Sequence, residues 1–335
     1  MNCPNCSVVE TDKLLFKVPQ ELKHIIITEF TNQDKTYKWE ECILHITESE
    51  SNSLVDFLRA MNLSNEVTFK HPYQGWMPLD NYDDYRSTSW IDELIRNENV
   101  TMYFQPIITH AGKIYGYEML ARFYENDNTV IFPDKVFPAA KVRGKLFALD
   151  RLCRMQGVKQ STRLYDSQKI FINFIPTAIY SPEYCLRKTT ALAKSLDIDS
   201  NRFVFEVVET EEVDDVDHLK AILEYYKKNG FSYALDDVGS GFNTLAFLDA
   251  VKPPYVKLDM TVSQGVARSF EKQQLAQRFL KEAKSHGATC LAEGIEDIED
   301  FYWLKELGYD LFQGYLFGKP QSNPLEDEFI DLSKF

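Results

Sequence analysis

Phe203-Val-Phe-Glu-Val-Val-Glu209, Leu235-Asp-Asp-Val-Gly-Ser-Gly-Phe242 and Tyr255-Val-Lys-Leu-Asp259 decide the fold. Three apolar runs (203–208, 232–235 and 255–258) each lead into a carboxylate, a carboxylate pair or a lysine. Helical and glycine-rich segments separate them. Short apolar strands alternating with helices predict a parallel sheet built from βαβ units. Functional groups in such folds gather where the strands end. Glu206, Glu209, Asp236, Asp237, Lys257 and Asp259 are therefore expected on one rim. Several acids converging on one lysine are costly to bury unless a cation compensates them. The competing reading is a set of solvated loop acids, the usual place for such residues.

The rest of the chain extends the alternation. Outward from the core stretch, Ile170–Ile175 precedes it as a strand, and Thr289–Ile295 and Leu311–Phe317 follow, with helices between. Upstream, Met102–Thr109 and Lys113–Phe123 read as two strands joined through His-Ala-Gly, a hairpin-like break. A long helical region runs from Pro133 to Ser161. Roughly 240 residues of alternating strand and helix match the size of a (β/α)8 TIM-type barrel. The expected fold class is α/β, with the barrel over 86–335 preceded by a small α/β domain over 1–85. The polar tract Asp80–Ser89 marks the boundary, because turn-forming residues dominate it.

Composition bounds the function. The 335 residues are 44% hydrophobic and 26% charged, which is ordinary for a soluble globular chain with a sizeable core. The net charge of −14 argues against binding polymeric nucleic acid, whose backbone demands a basic surface. No apolar run is long enough to span a bilayer. The start, Met1-Asn-Cys-Pro-Asn-Cys6, lacks the basic-then-apolar order of a signal peptide. The expected location is cytoplasmic, with the cysteines reduced. Cys3, Cys6, Cys42 and His45 form a Cys3His set with two-residue gaps, a structural zinc pattern. Against zinc, a strand through Cys42–Ile46 would point positions 42 and 45 to opposite faces.

At or near the expected strand ends stand Glu118, Asn173, Glu206, Asp236, Asp237, Lys257, Glu293 and Gln313. Carboxylates with an amide oxygen are hard ligands suited to Mg2+ or Mn2+ rather than zinc. An acid shared between neighbouring positions suits a two-metal centre with ions ~3.5–4 Å apart. A lysine beside it can stabilise phosphate charge. Taken singly, each residue has a plainer role: Asn173 as a turn former, Gln313 as a surface amide, Lys257 as half of a structural ion pair. Those readings do not explain one polar group at nearly every strand end.

Residues 89–321 resemble the EAL family of cyclic di-GMP phosphodiesterases. The resemblance is carried by Tyr103-Phe-Gln-Pro-Ile107, Tyr117-Glu-Met-Leu-Ala-Arg122, Phe171-Ile-Asn173, Phe205-Glu-Val-Val-Glu209 and the Asp-Asp-Val-Gly-Ser-Gly loop. Val256-Lys-Leu-Asp259, Leu291-Ala-Glu-Gly-Ile-Glu296, Phe312-Gln-Gly-Tyr315 and Lys319-Pro320 complete it. It implies metal-dependent hydrolysis of cyclic di-GMP to linear pGpG, with two Mg2+ or Mn2+ ions per site. By the same resemblance Glu118, Asn173, Glu206 and Asp236 hold the first metal, and Asp236 with Asp237 recruits the second. Glu293 and Lys257 serve the attacking water, while Gln105, Glu118, Leu120, Arg122 and Gln313 meet the substrate. Glu209 supports the loop after the acid pair, which in this family links metal binding to a homodimer contact through the barrel. The signature reads Glu-Met-Leu where Glu-Ala-Leu is usual, and Val238 and Ser240 depart from the usual loop, but no ligand is missing. The alternative is a catalytically silent receptor for the dinucleotide that signals through the N-terminal domain.

Overall fold

The structure, a computed structural model, describes residues 13–30, 37–72, 74–125, 127, 129–207, 216–238 and 245–335. The chain divides into two compact units. One holds the chain through Glu98 together with Pro133–Leu149, and the other holds Asn99–Phe132 with Asp150–Phe335.

In the first unit, β1 (Lys13–Lys17), β2 (Lys38–Glu40), β3 (Ile43–Thr47), β4 (Thr68–Lys70) and β5 (Met77–Pro78) form an antiparallel sheet in the order β2-β3-β1-β4-β5. Alternation along β1 turns Leu14 and Phe16 inward, as a two-residue period requires. The helix Glu48–Ala60 buries Ser51, Leu54, Val55 and Leu58, which share one face at helical spacing.

The compact units do not divide at 85/86. Asp80–Ser89 is not a linker: Tyr82 and Tyr85 on the helix Tyr82–Ser87 are buried and meet Phe69 edge-on at 5.5 and 5.6 Å. Polar neighbours hid two aromatic residues at i, i+3 on an inward face. The long helical region also splits. It forms Pro133–Arg143 and Leu146–Gln160, broken at Gly144, whose φ of +70° suits glycine. Pro133–Arg143 belongs to the first unit because Arg143 is anchored there. Its guanidinium donates to both Glu48 carboxylate oxygens (2.7 Å each) and to Asp92 (2.8 Å), and lies 4.4 Å over the Tyr85 ring.

The second unit is a closed barrel. Its strands are β6 (Val100–Thr109), β7 (Ile114–Tyr124), β9 (Lys169–Phe174), β10 (Phe203–Val207), β11 (Ser232–Val238), β12 (Tyr255–Leu258), β13 (Thr289–Ala292) and β14 (Leu311–Gln313). A short β8 (Val130–Ile131) is added outside β7. The circuit runs β6-β14-β13-β12-β11-β10-β9-β7 and closes on β6. The hairpin break at His110-Ala-Gly makes β6 antiparallel to both neighbours, and every other barrel pair is parallel. The N-terminal half of β6 therefore reaches the rim where the other strands end.

One apolar layer fills the barrel: Ile107, Phe171, Val204, Ala234, Leu291 and Leu311, with Tyr255. The Tyr255 hydroxyl meets that of Tyr115 at 2.6 Å. Among the described residues, no helix is long and apolar enough to cross a membrane.

Candidate active site

Two residues along each strand returns a side chain to the same face, one layer higher. Counting two up from the apolar layer gives Asn173, Glu206, Asp236, Lys257, Glu293 and Gln313. On the reversed β6, counting two back from Ile107 gives Gln105, whose ladder partner is Glu118. The rim is thus the next storey of the packed core. Its residues are fixed by the strands beneath them.

Lys257 Nζ is the centre. It lies 2.6 Å from Glu293 Oε1, 2.7 Å from Glu206 Oε1, 3.0 Å from Asp236 Oδ1 and 3.9 Å from Glu118 Oε2. Lys257 is 1% exposed and Glu206 0%, so water screens that pair least, whereas the Glu293 side chain keeps 16% of its surface exposed. Glu118 is held by two amides: Asn173 Nδ2 donates to Oε1 (2.8 Å) and Gln313 Nε2 to Oε2 (2.6 Å).

Consecutive acids on a regular strand would face opposite ways. A register shift in β11 between Leu235 and Val238 removes that constraint, and Asp237 adopts a left-handed φ of +52°. Such a conformation is uncommon for a residue with a side chain and marks a strained position. The Asp237 N–H donates to Asp236 Oδ1 (3.0 Å). Oxygens of Asp236, Asp237 and Glu293 consequently lie within 4.8 Å of one another.

The electrostatics follow from five carboxylates sharing one ammonium. Burial and the neighbouring acids push Glu206 well above the usual carboxylate range, and Lys257 only partly offsets this. Burial raises Glu293 and Asp236 as well, again against the pull of Lys257. Asp237 is pushed up to about 7 by burial, by Asp236 and by Asp259. Glu118 is lowered, because Lys257 and the two amide donors outweigh its burial. Burial opposes the charge on Lys257, yet the acids hold it well above the ordinary lysine value. Glu206 Oε2 and Gln313 Oε1 are buried with no hydrogen-bond donor. A surplus of buried anionic oxygen, with a carboxylate oxygen lacking any donor, fits a hard divalent cation.

The EAL domain family model matches residues 88–320. The chain belongs to the EAL domain family. It is 28% identical over 268 residues to the probable cyclic di-GMP phosphodiesterase PdeG of Escherichia coli K12, covering 76% of this chain and 50% of that protein. Identity to cyclic di-GMP phosphodiesterase PdeF of the same organism is 25% over 245 residues, covering 72% and 32%. The chain thus spans half or less of the length of these two relatives. Among solved structures, a standalone EAL protein from Vibrio cholerae O395 in its c-di-GMP-bound form shares 35% identity. The match has a TM-score of 0.59 and covers 67% of this chain and 93% of that one. An EAL domain protein from Listeria monocytogenes EGD-e shares 25% identity with a TM-score of 0.62, covering 70% and 94%.

In this EAL domain the residues expected together are Glu118, Asn173, Glu206, Asp236, Asp237, Lys257, Glu293 and Gln313, and the rim assembles all of them. Gln105 is paired opposite Glu118, and Leu120 and Arg122 continue the Glu118 face of β7 outward. Asp259 is turned to another task. Its carboxylate caps the helix Met260–Ser263 by accepting from Thr261 N (2.7 Å), while its charge bears on Asp237. Glu209 lies outside the described residues, as do positions 239–243 of the loop and the zinc candidates Cys3 and Cys6. The other two zinc candidates have separate partners: Cys42 Sγ donates to Gln20 Oε1 (3.4 Å), and His45 Nε2 lies 3.3 Å from Glu40. The β11 irregularity is what local sequence patterns missed, although adjacent acids before the sequence Gly-Ser-Gly hinted at it.

Proposed function

We propose that the chain is a metal-dependent phosphodiesterase that hydrolyses cyclic di-GMP to linear pGpG. The observation that carries this reading is the cluster around Lys257, where Glu118, Glu206, Asp236, Asp237 and Glu293 converge and Glu206 Oε2 has no donor. The names of the curated relatives and the 35% identical c-di-GMP-bound protein support the substrate.

Glu118, Asn173, Glu206 and Asp236 would hold one Mg2+ or Mn2+, and Asp236 with Asp237 a second. When bound, such ions supply positive charge for the phosphate and acidify water. The chain's own groups do the rest. Lys257 sets a fixed positive charge beside the scissile phosphate, where negative charge grows during attack. Glu293 Oε1, held by Lys257, accepts the proton of the attacking water, and burial raises its basicity for that task. The water oxygen bonds to phosphorus and the bond from phosphorus to the ribose 3′-oxygen breaks. That oxygen takes up a proton from solvent to leave as the 3′-hydroxyl of pGpG, and Glu293 returns the proton it accepted to solvent. A homodimer formed through the barrel belongs to the same proposal, and light scattering of the purified chain tests it.

Incubation with cyclic di-GMP and Mg2+ or Mn2+, followed by chromatography, should yield pGpG, and chelation should abolish it. Tight binding without product would replace this reading with that of a silent receptor.

A further inference from the structure

Beyond the metal site, the β6–β7 hairpin continues outward from the rim. Its ladder pairs Gln105 with Glu118, Tyr103 with Leu120 and Thr101 with Arg122. Residues opposite one another share a face, and so do residues two apart along a strand. Tyr103 and Arg122 therefore stand on the face that carries Glu118, with Arg122 roughly 14 Å along the strand at about 3.4 Å per residue. β8 extends this surface. Its register pairs Ile131 with Phe123 and Val130 with Tyr124, so the next step sets Phe132 opposite Arg122.

The side chains follow that register. The Arg122 guanidinium on β7 lies 5.2 Å from the Tyr103 ring on β6 and 5.5 Å from the ring of Phe132, the residue just past β8. Arg122 Nη1 donates to the Ala121 carbonyl (2.8 Å), which restrains the group further. Phe132 is nevertheless 56% exposed. Exposing a large aromatic side chain beside an arginine forgoes its burial, which makes it a candidate contact rather than core.

We infer that Tyr103, Arg122 and Phe132 form a stacking ledge for one guanine base of the dinucleotide, with Phe132 setting affinity for that base. The inference rests on the phosphodiesterase reading and adds to it a residue that reads the base instead of the phosphate. An aromatic face stacks on a purine, and an arginine fork can meet the O6/N7 edge of guanine.

The test uses the full chain with Mn2+ and cyclic di-GMP. Both steady-state kinetics and calorimetric binding are measured for wild type, Phe132→Ala, Phe132→Leu and Phe132→Tyr. One lost base stack corresponds to about a ten-fold weakening or more. Phe132→Ala should raise KM and Kd about ten-fold, while kcat falls no more than about two-fold and the Mn2+ concentration for half-maximal rate stays put. Phe132→Leu should resemble Ala, since it keeps bulk against Arg122 but has no aromatic face. Phe132→Tyr should restore wild-type values. Unchanged KM and Kd in Phe132→Ala, or full affinity in Phe132→Leu, overturns the ledge while turnover of the wild type upholds the phosphodiesterase reading. Binding by the wild type without turnover sinks that reading instead, and the Kd series still decides the ledge. A wild type that neither binds nor hydrolyses overturns both.

Discussion

Arg143 in the first unit and Lys257 in the barrel are both buried cations among carboxylates, and their surroundings differ in three ways. Arg143 meets two acids, Glu48 bidentately, and stacks on Tyr85; Lys257 meets four carboxylate oxygens, three from separate strands and one from Glu293 just past the end of β13. A guanidinium fork fixes geometry, whereas an ammonium is a point charge that lets acids crowd around it. Around Arg143 the charges nearly balance. Around Lys257 they do not, and Glu206 Oε2 is left with no donor. The balanced cluster reads as a clamp, and the unbalanced one fits the proposed metal site.

The same kind of substitution should therefore act oppositely in the two places. Glu206→Gln keeps the shape but removes one charge from the proposed ligand set. Turnover should fall more than about 100-fold, beyond what a partner outside the ligand shell is worth, and metal content should fall with it. Without metal the variant should melt higher than wild type by about 2–4 °C. The reason is that Glu206 is held well above its usual range, so its ionisation opposes folding near neutral pH. Glu48→Gln, in contrast, should lower the melting temperature. If both changes shift melting the same way, the contrast between clamp and site fails.

Lys257→Ala sharpens the distinction. Loss of the Lys257 ammonium should reduce turnover about 100–1,000-fold, the scale of a single removed electrostatic stabiliser. Metal content should change less, because an ammonium cannot ligate a cation. The metal-free variant should be destabilised and should regain stability as Mg2+ is added. A Lys257→Ala protein whose metal content collapses as fully as that of Glu206→Gln would assign Lys257 a different role.

Arg143→Met tests the clamp. Removing one partner of a buried pair strands the others, and Glu48 and Asp92 are only partly solvated. The expected loss is about 3 kcal/mol, the lower end for a broken buried pair. Denaturant unfolding would measure it. A loss below 1 kcal/mol would place Arg143 with exposed surface pairs instead.

What the sequence disclosed and what it hid differ for a physical reason. Asn173, Glu206, Asp236, Lys257, Glu293 and Gln313 were legible because each follows an apolar residue two positions back, so one local period encodes both the core and the rim. The hairpin was legible in His110-Ala-Gly. Tyr82 and Tyr85 were not, since their neighbours are polar and only the fold brings Phe69 to them. Arg143 was hidden for the same cause: Glu48 and Asp92 lie 95 and 51 positions away in the chain. Phe132 meets Arg122 only through the β7–β8 register, which no local pattern states.

The smallest effect concerns His71, which adds a titrating group to the balanced side of the comparison. Burial lowers its pKa to about 4, helped by the positive charges of Lys145 and Arg143 and opposed by Asp92. The unfolded chain takes up a proton near 6.5, whereas the folded unit resists until about 4. Between those values the unfolded state binds more protons, so stability rises with pH. The contribution of neutral His71 is complete above about pH 6.5 and is lost as pH falls towards 4. Allowing for partial solvation, the change should be about 1–2 kcal/mol, at 1.36 kcal/mol per unit of pKa difference. His71→Gln removes the titration, so the difference between variant and wild-type unfolding free energies should slope across pH 4–6.5 and be flat above 7. Carboxylates of the barrel titrate in both proteins and cancel in that difference. A difference that stays level from pH 4 to 8 would mean that His71 is solvated enough to protonate in place, and that the positive charge of the clamp does not reach it.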